Sequence, residues 1–386
     1  MNPDMAQPDI KRIIGRFAET VQGLQLALND SLSALQATAA IQKKELTSFV
    51  SGRLQPLEQG GKKLFLIEPQ ANGQSDAFQS SIDSYRSFVT AKKKLESAQS
   101  SHRVLPANML LALVGAYDAY LAALASAFLT VAFEAAGSDV SGHSREDSVQ
   151  AAIGRLLLCG PDGRLLWFEN ELGIELRADL AVSGQFLEVF EKRQLLFTGQ
   201  VIEITPENFA EAHDEIYETG IKLGHLLWRK LLPEQTAKAN ASFQDLAFNL
   251  IQAQQLKLAS NLLSFANTVL RKYADENNRL VFLVNGALAA YLGKNKEECA
   301  RMLGQEDWSA KHDIFRLPHL VLTEQFAEAA AVMRRIGKDS RPTRGEYLRW
   351  PLFAEFRKSA EFGAAFKDLF EDVLLTENEA TLAFSG

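Results

Sequence analysis

The chain has 386 residues, of which 47% are hydrophobic and 23% charged, and its formal net charge is −7. This length and apolar fraction suffice for a globular protein with two or three domains and a substantial core. The acidic balance argues against a surface that binds nucleic acid all over, because such surfaces concentrate positive charge where they meet phosphate. The only cysteines are Cys159 and Cys299, so we expect no disulfide framework and no cysteine-rich metal site. The histidines and cysteines offer no plausible set of metal ligands and the chain has no Gly-rich phosphate loop, so neither a metal nor a cofactor is expected.

The first region, residues 1–100, begins with the spacing of a long amphipathic helix. Its apolar side chains recur at alternating steps of four and three residues, at Ile10, Ile14, Phe17, Val21, Leu24 and Leu28. The spacing slips at Ser31 and Leu32, which favours a helix packed on its own chain over a long coiled coil, with dimerisation through it left open. Charged residues precede any apolar run, so no targeting signal is indicated and a cytoplasmic protein is expected.

A change of pattern near Gly60 and Gly61 predicts a central loop in this N-terminal helical segment. The residues Leu-Phe-Leu-Ile at 64–67 suit one short strand, and residues 69–75 suit a turn-rich loop. Helical spacing returns near Phe78.

The most apolar stretch, residues 104–133, predicts a core helix of a soluble bundle rather than a membrane span. Its charged residue Asp118 divides it into pieces shorter than the roughly 18 apolar residues that a spanning helix needs. Pro106 suits the first turn of a helix, where a missing N–H is tolerated, and therefore predicts a helix start at that point. We expect no membrane association.

The second region, residues 101–235, carries a family resemblance. The run Leu113–Tyr120, the helix predicted at 186–197 and the segment Gly224–Leu231 follow the order of helices in the bacterial HEPN-like domains, which the region resembles over about a third of the chain. The resemblance implies an all-α helical bundle that forms homodimers, in a bacterial defence or toxin-related setting. RNA is the ligand that it implies.

The same resemblance identifies an incomplete active-site motif. HEPN ribonucleases carry an arginine, a polar residue, a few apolar residues and a histidine, and here Arg193 is the arginine while Thr198 to Gln200 hold no histidine. An imidazole with a pKa near 6.5 exchanges protons with RNA oxygens, and the arginine binds the developing phosphate charge. Thr198 cannot replace the imidazole near neutral pH. None of the six histidines follows an arginine at the family spacing, so the bundle is interpreted as degenerate.

Arg193 and Asp118 each have two interpretations. Arg193 is either a phosphate or nucleotide contact, together with Thr198, or the ion-pair partner of Glu191 or of an acid elsewhere in the bundle, and the second is favoured because helical arginines are common on surfaces. Asp118 is either functional or satisfied by a nearby tyrosine or arginine, and again the second is favoured, since a carboxylate in so apolar a helix needs a partner.

The third region, residues 240–386, predicts helical pairs. The segment 284–293 runs through small residues to Gly293 and then to a second helix at 297–303, which resembles a tetratricopeptide (TPR) unit, and residues 319–337 form a looser copy. The copies are further apart than the usual period of about 34 residues, so ordinary helical hairpins remain an alternative. Trp350, Phe353 and Phe356 are expected on one helical face that caps the array.

A basic cluster precedes this capping element. Its members that are candidate binding residues are Arg334, Arg335, Lys338 and Arg341. They fit either a phosphate-binding patch or a solvated helix end, and the second is favoured because cations near a helix C-terminus complement its dipole.

The sequence as a whole predicts an all-α fold, with a HEPN-like bundle followed by TPR-like hairpins, and a non-catalytic interaction protein whose C-terminal helical region binds a protein partner. The alternative is a metal-independent ribonuclease that uses Arg193 with a displaced histidine, His225 or His213. A third possibility is that the C-terminal region carries the whole function and the bundle only dimerises.

Overall fold

The computed structural model describes residues 9–59, 62–67, 74–135, 142–180 and 182–371, and positions outside these ranges are not discussed. These residues form a helical protein that carries one β-hairpin, so the all-α class is confirmed apart from that hairpin. The chain divides into two compact units, with the boundary between Ile221 and Lys222. We call them the first unit and the second unit.

The first unit contains the β-hairpin and long helices. In chain order its elements are α1 (Ile10–Arg53), β1 (Leu54–Gln59), β2 (Lys62–Ile67), α2 (Gln74–Ala135), α3 (Gly142–Leu158), α4 (Pro161–Leu172), α5 (Gly184–Phe197) and α6 (Pro206–Leu231), the last of which continues past the boundary. The helix predicted from the first apolar stripe is thus α1, and the stripe residues Ile14, Phe17 and Val21 are buried. Helix α1 packs along α2.

The β-hairpin lies between these helices in sequence. The predicted strand at 64–67 is confirmed as part of β2, which pairs antiparallel with β1 in a register that places Leu54 opposite Ile67 and Leu57 opposite Leu64. The sequence analysis missed β1, because Pro56 lowers the strand propensity of Leu54–Gln59. The available signal was the Gly-Gly dipeptide between the strands, which is typical of two-residue hairpin loops.

The predicted helix start at Pro106 is wrong. Helix α2 begins at Gln74 and passes through Pro106 without a break. Proline removes one backbone hydrogen bond of a helix, so packing must offset that loss. Pro106 is buried, and the following turns bury Leu110, Leu113 and Val114, which fixes the part of the helix that follows the proline.

The part of α2 from Tyr85 to Ala132 is long and apolar enough to cross a membrane by length and composition alone, with a mean hydropathy of 1.6 in its most apolar window. Of that window, 44% is buried inside the protein. Core helices of soluble proteins pass the same test, so the expectations about membrane and cytoplasm stay predictions.

A close contact fixes α6 against α1 and α2 in the first unit. The rings of Phe17 and Tyr120 stack with their centroids 4.1 Å apart. The Tyr120 hydroxyl donates a hydrogen bond to the carbonyl of Gly220 at 2.9 Å. A Cβ at Gly220 would lie 2.3 Å from a ring carbon of Phe17, so this crossing requires glycine.

The second unit consists of consecutive helical hairpins. Its helices are α7 (Thr236–Gln252), α8 (Leu256–Thr268), α9 (Glu276–Leu292), α10 (Lys296–Leu303), α11 (Asp313–Leu322), α12 (Phe326–Ile336), α13 (Arg344–Arg349) and α14 (Ala360–Phe370). The pairs α7 with α8, α9 with α10, and α11 with α12 each pack together. This confirms the predicted helical pairs.

The same tight turn recurs inside these pairs. Gln254, Lys294 and Glu324 adopt left-handed conformations, with φ of 59°, 62° and 59°. After each one the next backbone N–H bonds back to a carbonyl of the preceding helix at 2.9 Å, as in Gln255 to Leu250. These bonds satisfy carbonyls that the helix end would leave unpaired. The hairpins therefore share their local geometry although none of the three left-handed positions is glycine.

The predicted capping helix around Phe353 is wrong in its secondary structure. The segment forms two short 3₁₀ turns, Pro351–Phe353 and Phe356–Lys358, before α14 begins. Pro351 forces the preceding residue out of helical conformation, and Trp350 is indeed extended with ψ of 127°. Phe353 and Phe356 are nevertheless fully buried, and Phe356 contacts Phe326 of α12 with ring centroids 5.4 Å apart. The expected packing on the last hairpin is thus present.

Candidate functional site

Two centres hold the candidate residues, one in each unit. In the first unit, Asp118 lies between two arginines that come from different helices. Its Oδ1 accepts a hydrogen bond from Nη1 of Arg164 at 2.6 Å, and its Oδ2 lies 3.1 Å from Nη2 of Arg193. We name these three residues the Asp118 cluster. The carboxylate of α2 thereby connects α4 and α5.

The cluster is largely shielded from water. The side chain of Arg164 is 4% exposed, that of Asp118 18% and that of Arg193 29%. The guanidinium of Arg164 lies over the ring of Phe190, and that of Arg193 over the ring of Phe197, each at 5.2 Å. One carboxylate and two guanidinium groups leave a formal charge of about +1, and Arg193 is the member that faces solvent most.

Local structure helps to position Arg164 for its ion pair. Pro161 begins α4, which suits the first helical turn, and Gly160 precedes it in an extended conformation. The Nε of Arg164 donates a hydrogen bond to the carbonyl of Cys159 at 3.2 Å. The sequence analysis did not select Arg164, because nothing in the spacing around it distinguishes a buried arginine from a surface one.

The favoured interpretations of Arg193 and Asp118 are confirmed in one respect. Arg193 pairs with an acid elsewhere in the bundle rather than with Glu191, and Asp118 is satisfied by arginine. A binding role for either residue stays a prediction. Thr198 ends α5, where its hydroxyl donates to the carbonyl of Leu195 at 2.9 Å.

The tyrosine next to the cluster is not a proton donor near neutral pH. Tyr117 is buried against Phe186 and Phe190, with ring centroids 5.6 and 6.0 Å apart. Burial raises the pKa of Tyr117 above its ordinary range, while the neighbouring Arg164 acts in the opposite direction. The phenol therefore stays protonated.

The two candidate histidines of the ribonuclease alternative are both buried. His213 lies in the first unit, where its Nδ1 is 3.1 Å from a carboxylate oxygen of Asp214 and its ring stacks on Tyr217. His225 lies in the second unit and is 0% exposed. Burial and the adjacent Arg229 lower the pKa of His225 well below its ordinary value. Both rings are thus held in packed surroundings within their own units.

Arg229 forms a buried polar network that the sequence analysis missed. Its guanidinium donates two hydrogen bonds to Oδ1 of Asn240, at 3.0 and 2.7 Å, and one to the carbonyl of His225 at 2.8 Å. The amide nitrogen of Asn240 donates to the carbonyl of Tyr273 at 3.4 Å. The network connects α6 and α7 to the turn before α9, so it serves the fold of the second unit.

The second centre is a groove in the second unit with a volume of about 400 Å³. The first helices of the successive hairpins, α7, α9 and α11, line it together with the segment that leads into α13. Its apolar walls come from Phe248, Val281, Val284, Phe315, Pro318 and Trp350. A groove of this size and composition is typical of ligand-binding sites. We call it the array groove.

At one end the array groove continues into a second cavity of about 430 Å³, with which it shares Phe248, Glu346 and Trp350. Arg349 lines this extension. Within the ranges that the structure covers, Arg349 has neither an acidic partner nor a hydrogen bond. The acid Glu346 is occupied, since it accepts from the backbone N–H of Thr343 at 2.6 Å in a capping box.

The middle of the array groove contains Asn285, which is 6% exposed. From Leu280 to Ala290, all residues of α9 except Asn285 are apolar or glycine. The side-chain amide of Asn285 has no hydrogen-bond partner among the described residues, and its polar atoms are open to the water in the groove. The indole N–H of Trp350, in contrast, is buried without a partner in that part of the chain. A buried donor of this kind is rare, because leaving it unpaired is costly.

The predicted basic cluster is distributed over several ion pairs. Arg334 pairs with Asp368 at 2.8 Å and Arg335 with Asp313 at 2.9 Å. Arg341 lines the array groove and lies 4.0 Å from a carboxylate oxygen of Glu346, and Lys338 is exposed. The acids around the cluster offset much of its charge.

No family model, no curated protein and no solved structure matches the chain.

Proposed function

We propose that this chain is a non-catalytic interaction protein that holds a protein partner on the helical hairpins of its second unit. The observation that carries the proposal is the array groove, an apolar cavity of about 400 Å³ that successive hairpins build together. Concave surfaces of helical arrays commonly bind extended segments of other proteins. The TPR-like resemblance of residues 240–386 supports the same proposal.

The absence of catalysis is proposed from the state of the Asp118 cluster. Arg193 is occupied by Asp118, and Thr198 is occupied by the end of its own helix. Neither supplies the proton transfer that a ribonuclease needs. We propose that the first unit is a degenerate HEPN-like bundle that dimerises, with RNA as a further candidate partner at Arg193.

The ribonuclease alternative has a direct test. Purified full-length protein is incubated with mixed RNA, beside Arg193→Ala, His213→Gln and His225→Gln variants whose folding is checked by circular dichroism. We expect no cleavage by any of them. Cleavage by the unsubstituted protein that any one substitution removes would reject the non-catalytic proposal.

The partner proposal is tested by photo-crosslinking in the full chain. A benzoylphenylalanine is placed at Ile314 in the array groove, at Lys257 in the second unit outside the groove, or at Glu19 in the first unit. After exposure to a cell lysate, we expect adducts at Ile314. Adducts at Glu19 alone would reject the second unit as the binding module. Adducts at Lys257 alone would mean that the second unit binds the partner, but on a surface outside the array groove.

A further inference from the structure

The array groove has an internal polar group that the fold itself does not use. Asn285 sits in a run of apolar residues on α9, the helix that packs against both α7 and α11. The residue is 6% exposed as a whole, but its amide is open to the groove and has no hydrogen-bond partner in the described ranges. The fold therefore makes no use of the amide, which would be replaced by an apolar side chain if packing alone decided the residue. A ligand in the groove can pair with the amide.

The chemistry of Asn285 matches a peptide bond. A side-chain amide offers one carbonyl acceptor and an NH₂ donor, and can therefore pair with one backbone N–H and one backbone carbonyl at the same time. An extended peptide presents both groups along its length, and its alternate side chains point to opposite sides. The apolar residues Val281, Val284 and Phe315 around the amide fit one such side chain.

The dimensions of the array groove also fit a short extended segment. It crosses α7, α9 and α11, and packed helices lie about 8–10 Å apart, so its length is about 20 Å. At about 3.3 Å per residue, this accommodates roughly six residues of extended chain.

The charge of the groove selects among such segments. Glu346 is bonded to the backbone of Thr343, and Asp245 also has a partner within the structure. Arg349 lines the extension of the groove together with Glu346, but it forms no ion pair with that acid or with any other in the described part of the chain. Its guanidinium is suited to a carboxylate, which it can bind with two parallel hydrogen bonds.

We infer that the array groove binds an extended peptide segment of about six residues, whose backbone pairs with Asn285, whose apolar side chain enters between α9 and α11, and whose carboxylate side chain meets Arg349. This inference rests on the proposed function and specifies the partner: a protein with an exposed segment that combines an apolar anchor and an acidic residue.

Peptide binding to the full-length protein tests the inference by fluorescence anisotropy. The probe is a pool of fluorescein-labelled, C-terminally amidated hexapeptides, each with Leu or Phe as anchor and Asp or Glu two residues later. A second pool replaces the acid with Asn or Gln, and a third carries N-methylated backbone amides. We expect the first pool to bind in the micromolar range, the second more weakly and the third not at all.

Matched variants locate the binding. Asn285→Leu is expected to lower the affinity for the first pool about tenfold, which corresponds to about 1.4 kcal/mol of binding free energy. Arg349→Gln is expected to lower the affinity for the first pool to that for the second. The controls are Asn249→Leu, an exposed position on α7, and Arg301→Gln, an exposed position on α10, and both should bind as the unsubstituted protein does. A thermal melt of Asn285→Leu should show undiminished stability, which separates a ligand contact from a structural one.

The inference is overturned if no pool binds, or if Asn285→Leu binds the first pool unchanged. Equal binding of the first two pools overturns the assignment of Arg349. The proposed function is tested separately. Crosslinks from Ile314 or Lys257 to a partner protein, with no binding of any peptide pool, would support the second unit as an interaction module and reject only the extended acidic peptide as its ligand.

Discussion

The first unit and the second unit each contain one candidate polar group, and the fold uses these two groups in opposite ways. In the first unit, the Asp118 carboxylate accepts from Arg164 and Arg193, so both of its oxygens have partners. In the second unit, Asn285 is more deeply buried than Asp118, yet its amide has no partner in the described chain and is open to the water in the array groove. The contrast separates a group that connects helices from one that the fold leaves open toward the groove.

The largest expected effect on stability comes from removing the negative charge of the Asp118 cluster. Asp118→Asn leaves Arg164 buried and without its counterion, which we expect to lower the free energy of unfolding by about 3 kcal/mol. Urea unfolding followed by circular dichroism measures it. The control is Glu298→Gln, which removes the exposed partner of Arg301 and should cost less than about 0.5 kcal/mol. A loss at Asp118 no larger than at Glu298 would show that the cluster is not structural.

The packing beside the Asp118 cluster provides the next test. Gly220→Ala brings a Cβ against the ring of Phe17, which is held by its stacking on Tyr120. We expect a loss of about 1–3 kcal/mol from this overpacking. Gly115→Ala is the matched control on α2, since a Cβ there meets nothing within 4 Å. At such an exposed helical position alanine should instead add about 0.5–1 kcal/mol.

Equal effects at the two glycines would contradict the close crossing of α1, α2 and α6 in the first unit. The same urea titration separates them, because the expected changes have opposite signs.

The sequence predicted the helices better than it predicted the centres that they build. The helix at 186–197 and the pairs around Gly293 follow from apolar spacing, because that spacing reports which side of a helix is buried. Asp118 and Arg193 were both selected, but their contact was not, since they are far apart in sequence and no pattern links them. Arg164 gave no signal at all.

Asn285 shows why the array groove escaped notice. It lies inside the segment 284–293 that suggested a TPR-like hairpin, yet one polar residue in an apolar helix does not reveal whether it faces a neighbouring helix or an open groove. That distinction depends on how α7, α9 and α11 pack, which is tertiary information. The strand β1 was missed for a different reason, since Pro56 lowers the strand propensity of Leu54–Gln59 and the Gly-Gly dipeptide after it predicted only a loop.

The pH dependence of the free energy of unfolding tests a third kind of buried group, His225, whose ring is neutral in the folded state. Burial and Arg229 lower the pKa of His225, so the folded state favours the neutral ring. This contribution is complete above the unfolded pKa of about 6.5, and stability falls as the pH drops below it. Between pH 6.5 and 5.5 we expect a loss of about 1 kcal/mol from this residue, because the ring of the unfolded chain takes up a proton over this range while the ring of the folded chain stays neutral.

His225→Gln removes that titration, so its unfolding free energy should change less between pH 6.5 and 5.5 than that of the unsubstituted protein. The exposed His312, substituted in the same way, serves as the control and should leave the difference in place. Identical pH profiles for His225→Gln and the unsubstituted chain would show that the ring does not have to be neutral in the folded state.

The smallest expected effect is the most informative about the comparison, because its sign is opposite to that at Asp118. Asn285→Leu replaces an amide that has no partner in the fold with an apolar side chain in an otherwise apolar part of α9, so the free energy of unfolding should rise by about 1 kcal/mol. The measurement is urea unfolding without peptide. A clear loss of stability instead would mean that the amide has a structural partner, and then both polar centres would serve the fold. A gain would show that the fold does not need the amide of Asn285, as expected for a group whose use lies in the groove.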